Sequence, residues 1–127
     1  DVYKRQVYDH CMKPQIRDAM AGQDALTEWA EGITALANIS SGYCKFSGLI
    51  TEAHEGWTKA DLKPFSNHTL QSFGPDRVMW GSDWPVCRLK GEYDVWLSTA
   101  QSLTAHSTPL EQAKVFGQNA RNFYRLR

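Results

Sequence analysis

A chain of 127 residues, 42% hydrophobic and 22% charged, has the composition of one ordinary globular domain and not that of a disordered tail. Its 14 basic residues balance 14 acidic ones, which removes the net field that would draw it to nucleic acid or to an anionic membrane surface. Cys11, Cys44 and Cys87 are odd in number and widely spaced, with no CxxC or Cys/His ligand pattern. This argues against a disulfide framework or a structural zinc and points to a reducing cytoplasm. No apolar run reaches the roughly 20 residues that span a bilayer, and no signal-peptide pattern is expected. Five Trp and five Tyr suit either a concave small-molecule site or a core of large side chains.

In chain order, residues 1–6 (DVYKRQ) back-translate to GATGTGTATAAGAGACAG, which resembles a transposon end used in sequencing libraries. They are expected to be non-native, so fold reasoning covers residues 7–127. Val7, Tyr8, Asp9 and His10 read as a strand end running into a loop, which Pro14 keeps irregular. From Asp24 as N-cap, Leu26, Trp29, Ala30, Ile33, Leu36 and Ala37 recur at helical spacing. Tyr43 to Ser47 alternates and ends at Gly48, as a strand with two different faces does, and its polar positions share one side. Thr58 and Asp61 have capping-box spacing, yet Pro64 lies deep enough to predict a short turn and then a helix from Pro64 through Phe73.

Gly74-Pro75-Asp76 breaks the chain before Val78-Met79-Trp80, a brief apolar run of the kind covered on both faces. Tyr93, Trp96, Leu97, Ala100 and Leu103 mark another amphipathic helix. Thr108 to Glu111 opens the next with a capping box and Pro at its first position; Gly117 is expected to stop it and Asn119 to restart a last one. Strands about 35 residues apart, separated by helices, predict successive βα units of a parallel sheet. Three such units suit either the last part of an eight-stranded barrel or a small open sheet.

Asp83 follows the last apolar strand, so it sits at the carboxyl end of the sheet, where parallel α/β folds carry their sites. A carboxylate there can take a proton from water and return it to a leaving group. The alternative is a turn-stabilising or capping Asp. On its own His10 reads as a hydrogen-bonded structural residue, and Cys11 beside it as a packed or idle thiol rather than a nucleophile. His54, His68 and His106 read as solvated or structural.

Residues 73–85 (FGPDRVMWGSDWP) resemble the last-strand motif of the amidohydrolase-related family of metal-dependent hydrolases. Residues 9–14 (DHCMKP) resemble its turn after strand six, residues 43–49 (YCKFSGL) its strand seven, and residues 119–124 (NARNFY) its closing helix. The resemblance covers essentially everything after Gln6. It implies the C-terminal portion of a (β/α)8 TIM barrel, the last three βα units plus terminal helices, and its sugar-acid lactonase subgroup implies a hydrolase opening cyclic esters of carboxylated rings.

By the same resemblance Asp83 is the water-activating base, and His10 either polarises the scissile carbonyl or binds a metal. Lys13, Lys45, Trp84 and Arg88 are candidates to contact a substrate carboxylate or ring. Zinc or manganese held by His10 and Asp83 is one expectation and metal-independent chemistry another, because the family's first-strand His-x-His pair is absent from these residues and two ligands make a poor zinc site. The partner is a small lactone, with no nucleic acid and no membrane, and this stretch by itself is expected to be inactive. Rival readings are a metal-dependent decarboxylase of the same superfamily and a non-catalytic remnant or binding module.

Overall fold

The structure is a computed structural model that describes residues 6–127. The proposed non-native stretch therefore lies, for residues 1–5, outside the described residues. Three short strands, β1 (Val7–Tyr8), β2 (Tyr43–Phe46) and β3 (Val78–Trp80), form one parallel sheet in the order β1-β2-β3. Tyr8 pairs with Cys44, Cys44 with Val78 and Phe46 with Trp80.

Parallel strands need a crossover, and helices provide it on one face. After β1 come α1 (Ile16–Met20) and α2 (Thr27–Ile39); α3 (Lys59–Phe73) links β2 to β3; α4 (Tyr93–Leu103), α5 (Pro109–Ala113) and α6 (Asn119–Tyr124) follow β3. This is the predicted βα order, with α1 added.

Paired residues of a parallel sheet share a face. Tyr8 packs on Phe73 of α3, Phe46 on Trp96 of α4, and Trp80 on Tyr93 and Phe116, so these strand residues all point toward the helices. With Ile33, Leu62, Phe65 and Leu103 they make one apolar core. Lys45 and Met79, paired with each other, point to the opposite face.

Two helix expectations are corrected. Helix α3 runs unbroken through Pro64, because Thr58 and Asp61 do close a capping box and the lost hydrogen bond is only the one to the exposed Ala60 carbonyl near the helix start. Gly117 does not stop α5: residues Lys114–Gln118 widen into a π-turn that carries the chain straight into α6. Asp24 lies three residues ahead of α2, yet its carboxylate accepts from the Leu26 and Thr27 amides. The Thr27 bonds hold its carboxyl below the ordinary range.

Two side chains tie the ends of elements together. The Arg77 guanidinium donates to the carbonyls of Ala37, Ser40 and Gly42, closing the C-terminus of α2, and lies over the Phe73 ring. The Asn119 amide, nearly buried, donates to Pro75 O at 2.6 Å and Val78 O at 2.9 Å, fastening α6 to β3. Removing that donor strands two carbonyls, so Asn119→Ala should cost about 2 kcal/mol or more. Asn119→Asp should cost as much, since a carboxylate cannot donate. Urea unfolding of both variants checks this; a loss for Ala without one for Asp contradicts it.

Candidate active site

The carboxyl ends of the three strands open into three loops, and each delivers one polar side chain to the same point. The loop after β1 is a left-handed turn: His10, Cys11, Met12 and Lys13 have φ of 52°, 51°, 60° and 50°, and Lys13 N donates to His10 O at 2.8 Å. L-residues adopt this conformation at a cost of roughly 1–2 kcal/mol each, so neighbouring contacts must impose it. Trp29 Nε1 on α2 donates to Cys11 O at 2.8 Å, and the Cys11 thiol reaches Lys45 O at 3.4 Å. The Cys11 side chain is fully buried, a packed thiol as expected.

His10 turns its ring over the end of β2. Its Nδ1 lies 2.8 Å from Ser47 Oγ, and Ser47 is only 2% exposed. Gly48 makes room: at φ +69°, a Cβ there would stand 2.8 Å from His10 Cγ and Nδ1. On the other side, His10 Nε2 faces Asp83 Oδ1 at 3.7 Å. That exceeds a hydrogen bond, and it leaves a third atom room to lie within reach of both.

Asp83 also sits on left-handed backbone, φ 55°. Its carbonyl accepts from Cys87 N at 2.8 Å, but its carboxylate makes no capping bond, and His10 is its one partner among the described residues. Trp96 Nε1 donates to Gly81 O at 2.9 Å and so pins the segment leading to it. Of the six described non-glycine residues with positive φ, five lie in these two loops, which places the backbone strain at the site.

The other sequence candidates differ in their surroundings. Lys45, on the face away from the helices, pairs with Asp9 at 3.4 Å. Trp84 follows Asp83 and is 62% exposed. Arg88 is engaged by Glu92 at 3.7 Å. Lys13 lines a groove of about 400 Å³ with Asp18, Glu28 and Trp29. Residue-type reasoning missed Ser47 and Gly48; the usable signal was that Ser47 continues the polar side of β2. The tryptophans are mostly structural: besides Trp29 and Trp96, Trp57 Nε1 donates to Lys90 O. His68 is structural too, bonded to Thr34 and to Ala30 O.

His10 and Asp83 offer one nitrogen and one oxygen, donor types that suit zinc. Among the described residues no cluster of three or more His, Cys, Asp or Glu is present, whereas a catalytic zinc takes three protein ligands. These residues by themselves do not fit the ion. No helix among the described residues is long and apolar enough to cross a membrane.

Two measurements probe the cradle. Gly48 and Gly22 both have positive φ, but nothing lies within 4 Å of a Cβ at Gly22. Gly48→Ala should therefore cost at least about 1 kcal/mol more than Gly22→Ala in thermal unfolding, the scale of overpacking; equal losses would remove the contact with His10. The second concerns Cys44, buried against Cys11, whose hydrogen bond, with desolvation, pushes the Cys44 thiol well up. The folded state then holds its proton more strongly, so this stability is intact below the ordinary thiol range and declines as pH rises through it. Unfolding free energy should fall from pH 7 to pH 10, and less steeply in Cys44→Ala.

The sequence profile of the amidohydrolase family matches residues 5–126. The chain is 36% identical over 126 residues, 96% of its length, to L-fucono-1,5-lactonase of Burkholderia ambifaria, and 34% identical to that of Burkholderia multivorans. It covers 42% and 43% of those proteins, less than half of each. The solved amidohydrolase from Burkholderia multivorans with bound HEPES superposes with a TM-score of 0.89 at 33% identity, over 97% of this chain and 45% of that one. A second crystal form of it, with bound zinc, gives 0.87.

Proposed function

The chain belongs to the amidohydrolase family and adopts part of its TIM barrel, and on that premise we propose that the protein carrying it is a hydrolase that opens a lactone of a sugar acid or a related carboxylated ring. The observation that carries this reading is an Asp83 carboxylate free of structural duties, 3.7 Å from a His10 ring held at its far nitrogen by Ser47, at the carboxyl end of a parallel sheet. The lactonase names of the Burkholderia relatives support the substrate class, and L-fucono-1,5-lactone is the first compound to test.

Water bound between the two side chains loses a proton to Asp83, and its oxygen attacks the lactone carbonyl carbon. His10 Nε2–H donates to the carbonyl oxygen as negative charge develops there, a contribution worth several kcal/mol of barrier. The ring C–O bond then breaks, and the departing alkoxide takes the proton back from Asp83. Lys45, Lys13, Trp84 and Arg88 are proposed to hold the ring and its carboxylate. For Arg88 this requires exchanging Glu92 for the substrate. Zinc in a solved relative speaks for a divalent ion in the family, zinc or manganese. Among the described residues His10 and Asp83 would offer it one nitrogen and one oxygen, and its remaining ligands would come from outside them. Three free buried thiols fit a reducing cytoplasm.

In the longer protein, Asp83→Asn should leave the unfolding midpoint within a few degrees and lower kcat by at least about 10²-fold, since the near-isosteric amide cannot accept the proton. Hydrolysis of L-fucono-1,5-lactone, followed by the release of acid, reads the rate. A variant within a few-fold of the parent would move the base to another residue.

A further inference from the structure

We propose that Ser47 is a positioning residue that donates its hydroxyl proton to His10 Nδ1, fixing the imidazole as the Nε2–H tautomer so that an N–H donor, and not a lone pair, faces the reacting oxygen beside Asp83. The inference rests on reading His10 as the carbonyl's hydrogen-bond donor, and it names the group that makes it one.

Two observations set the direction of the 2.8 Å bond between Ser47 Oγ and His10 Nδ1. Ser47 is 2% exposed within this chain, and among the described residues its hydroxyl has no other partner. If Nδ1 carried the proton and donated it, the buried Ser47 O–H would be left without an acceptor, the costly state for a polar group away from water. With the hydroxyl donating, both groups are satisfied. The second observation lies across the ring: Nε2 stands 3.7 Å from Asp83 Oδ1. A bare Nε2 would set its lone pair against a carboxylate, whereas Nε2–H sets a positive dipole end toward it. The two sides of the ring select the same tautomer.

Gly48 adds the steric half of the device. Its missing Cβ lets the ring lie directly on the backbone after β2, where His10 Cβ, Cγ and Nδ1 would all come within 2.9 Å of a side chain. The ring is thereby held from below by Gly48, at Nδ1 by Ser47 and at its own backbone by the left-handed turn.

The test uses the longer protein with ¹⁵N-labelled histidine, the His10 signals being identified by their loss in His10→Gln. In the parent protein, His10 should show an unprotonated Nδ1 and a protonated Nε2. Ser47→Ala should lower kcat by about 10- to 100-fold, the scale of misplacing a catalytic group, with KM changed less than about threefold. Combined with His10→Ala it should cost little beyond His10→Ala alone, because the hydroxyl acts only through that ring. A parent His10 protonated at Nδ1, or bound to a metal through Nε2, overturns the proposal. So does a Ser47→Ala loss that adds in full to that of His10→Ala. The tautomer is read without any assay, so it decides the role of Ser47 even if Ser47→Ala does not fold; retained lactone hydrolysis in His10→Ala would instead count against the catalytic reading of His10.

Discussion

The structure depends on a backbone conformation that its residues do not favour. Four consecutive L-residues, His10 to Lys13, turn left-handed straight after β1, and nothing in their own preferences would hold them there. The restraints come from elsewhere: the Trp29 indole on the Cys11 carbonyl, the Cys11 thiol buried beside β2, and the His10 ring seated on Gly48 and bonded to Ser47. They come from α2 and from β2 with the residues directly after it, so the turn is held by tertiary packing. Its product is a histidine aimed across the strand ends.

That aim is useful because the sheet is parallel. Parallel strands with short loops bring all their carboxyl ends to one rim, and here the rim gathers His10, Ser47 and Asp83 from sequence positions as much as 73 apart. The same register sends Tyr8, Phe46 and Trp80 toward the helices and turns Lys45 and Met79 to the other face. A slip of one residue would exchange the two sets.

The segments that mark the family divide into two kinds. Asp83, His10 and Lys45 stand at the rim, whereas Arg77, Asn119 and Asp76 do architectural work on other elements: Arg77 closes α2, Asn119 fastens α6 to β3 and Asp76 pairs with Lys114. Tryptophan divides the same way, with Trp29 and Trp96 clamping loop carbonyls and Trp84 exposed beside the carboxylate. Residues of one motif thus stand at the rim or tie elements together according to the face they occupy.

Much of this is written locally. The alternation of β2, the apolar stripe of α2, the capping boxes at Thr58 and Thr108 and the place of Asp83 after β3 all follow from spacings of two to four residues, which is why they could be read along the chain. Where local rules conflicted, tertiary packing decided: Leu62, Phe65 and Phe73 bury one face of α3 and carry it through Pro64, and Val115 is buried in the π-turn that takes the helix past Gly117. The pairing of Ser47 with His10 was beyond any such reading. It joins residues 37 apart through a left-handed turn and a missing Cβ, and a contact set by packing between distant segments has no period in the sequence that could announce it.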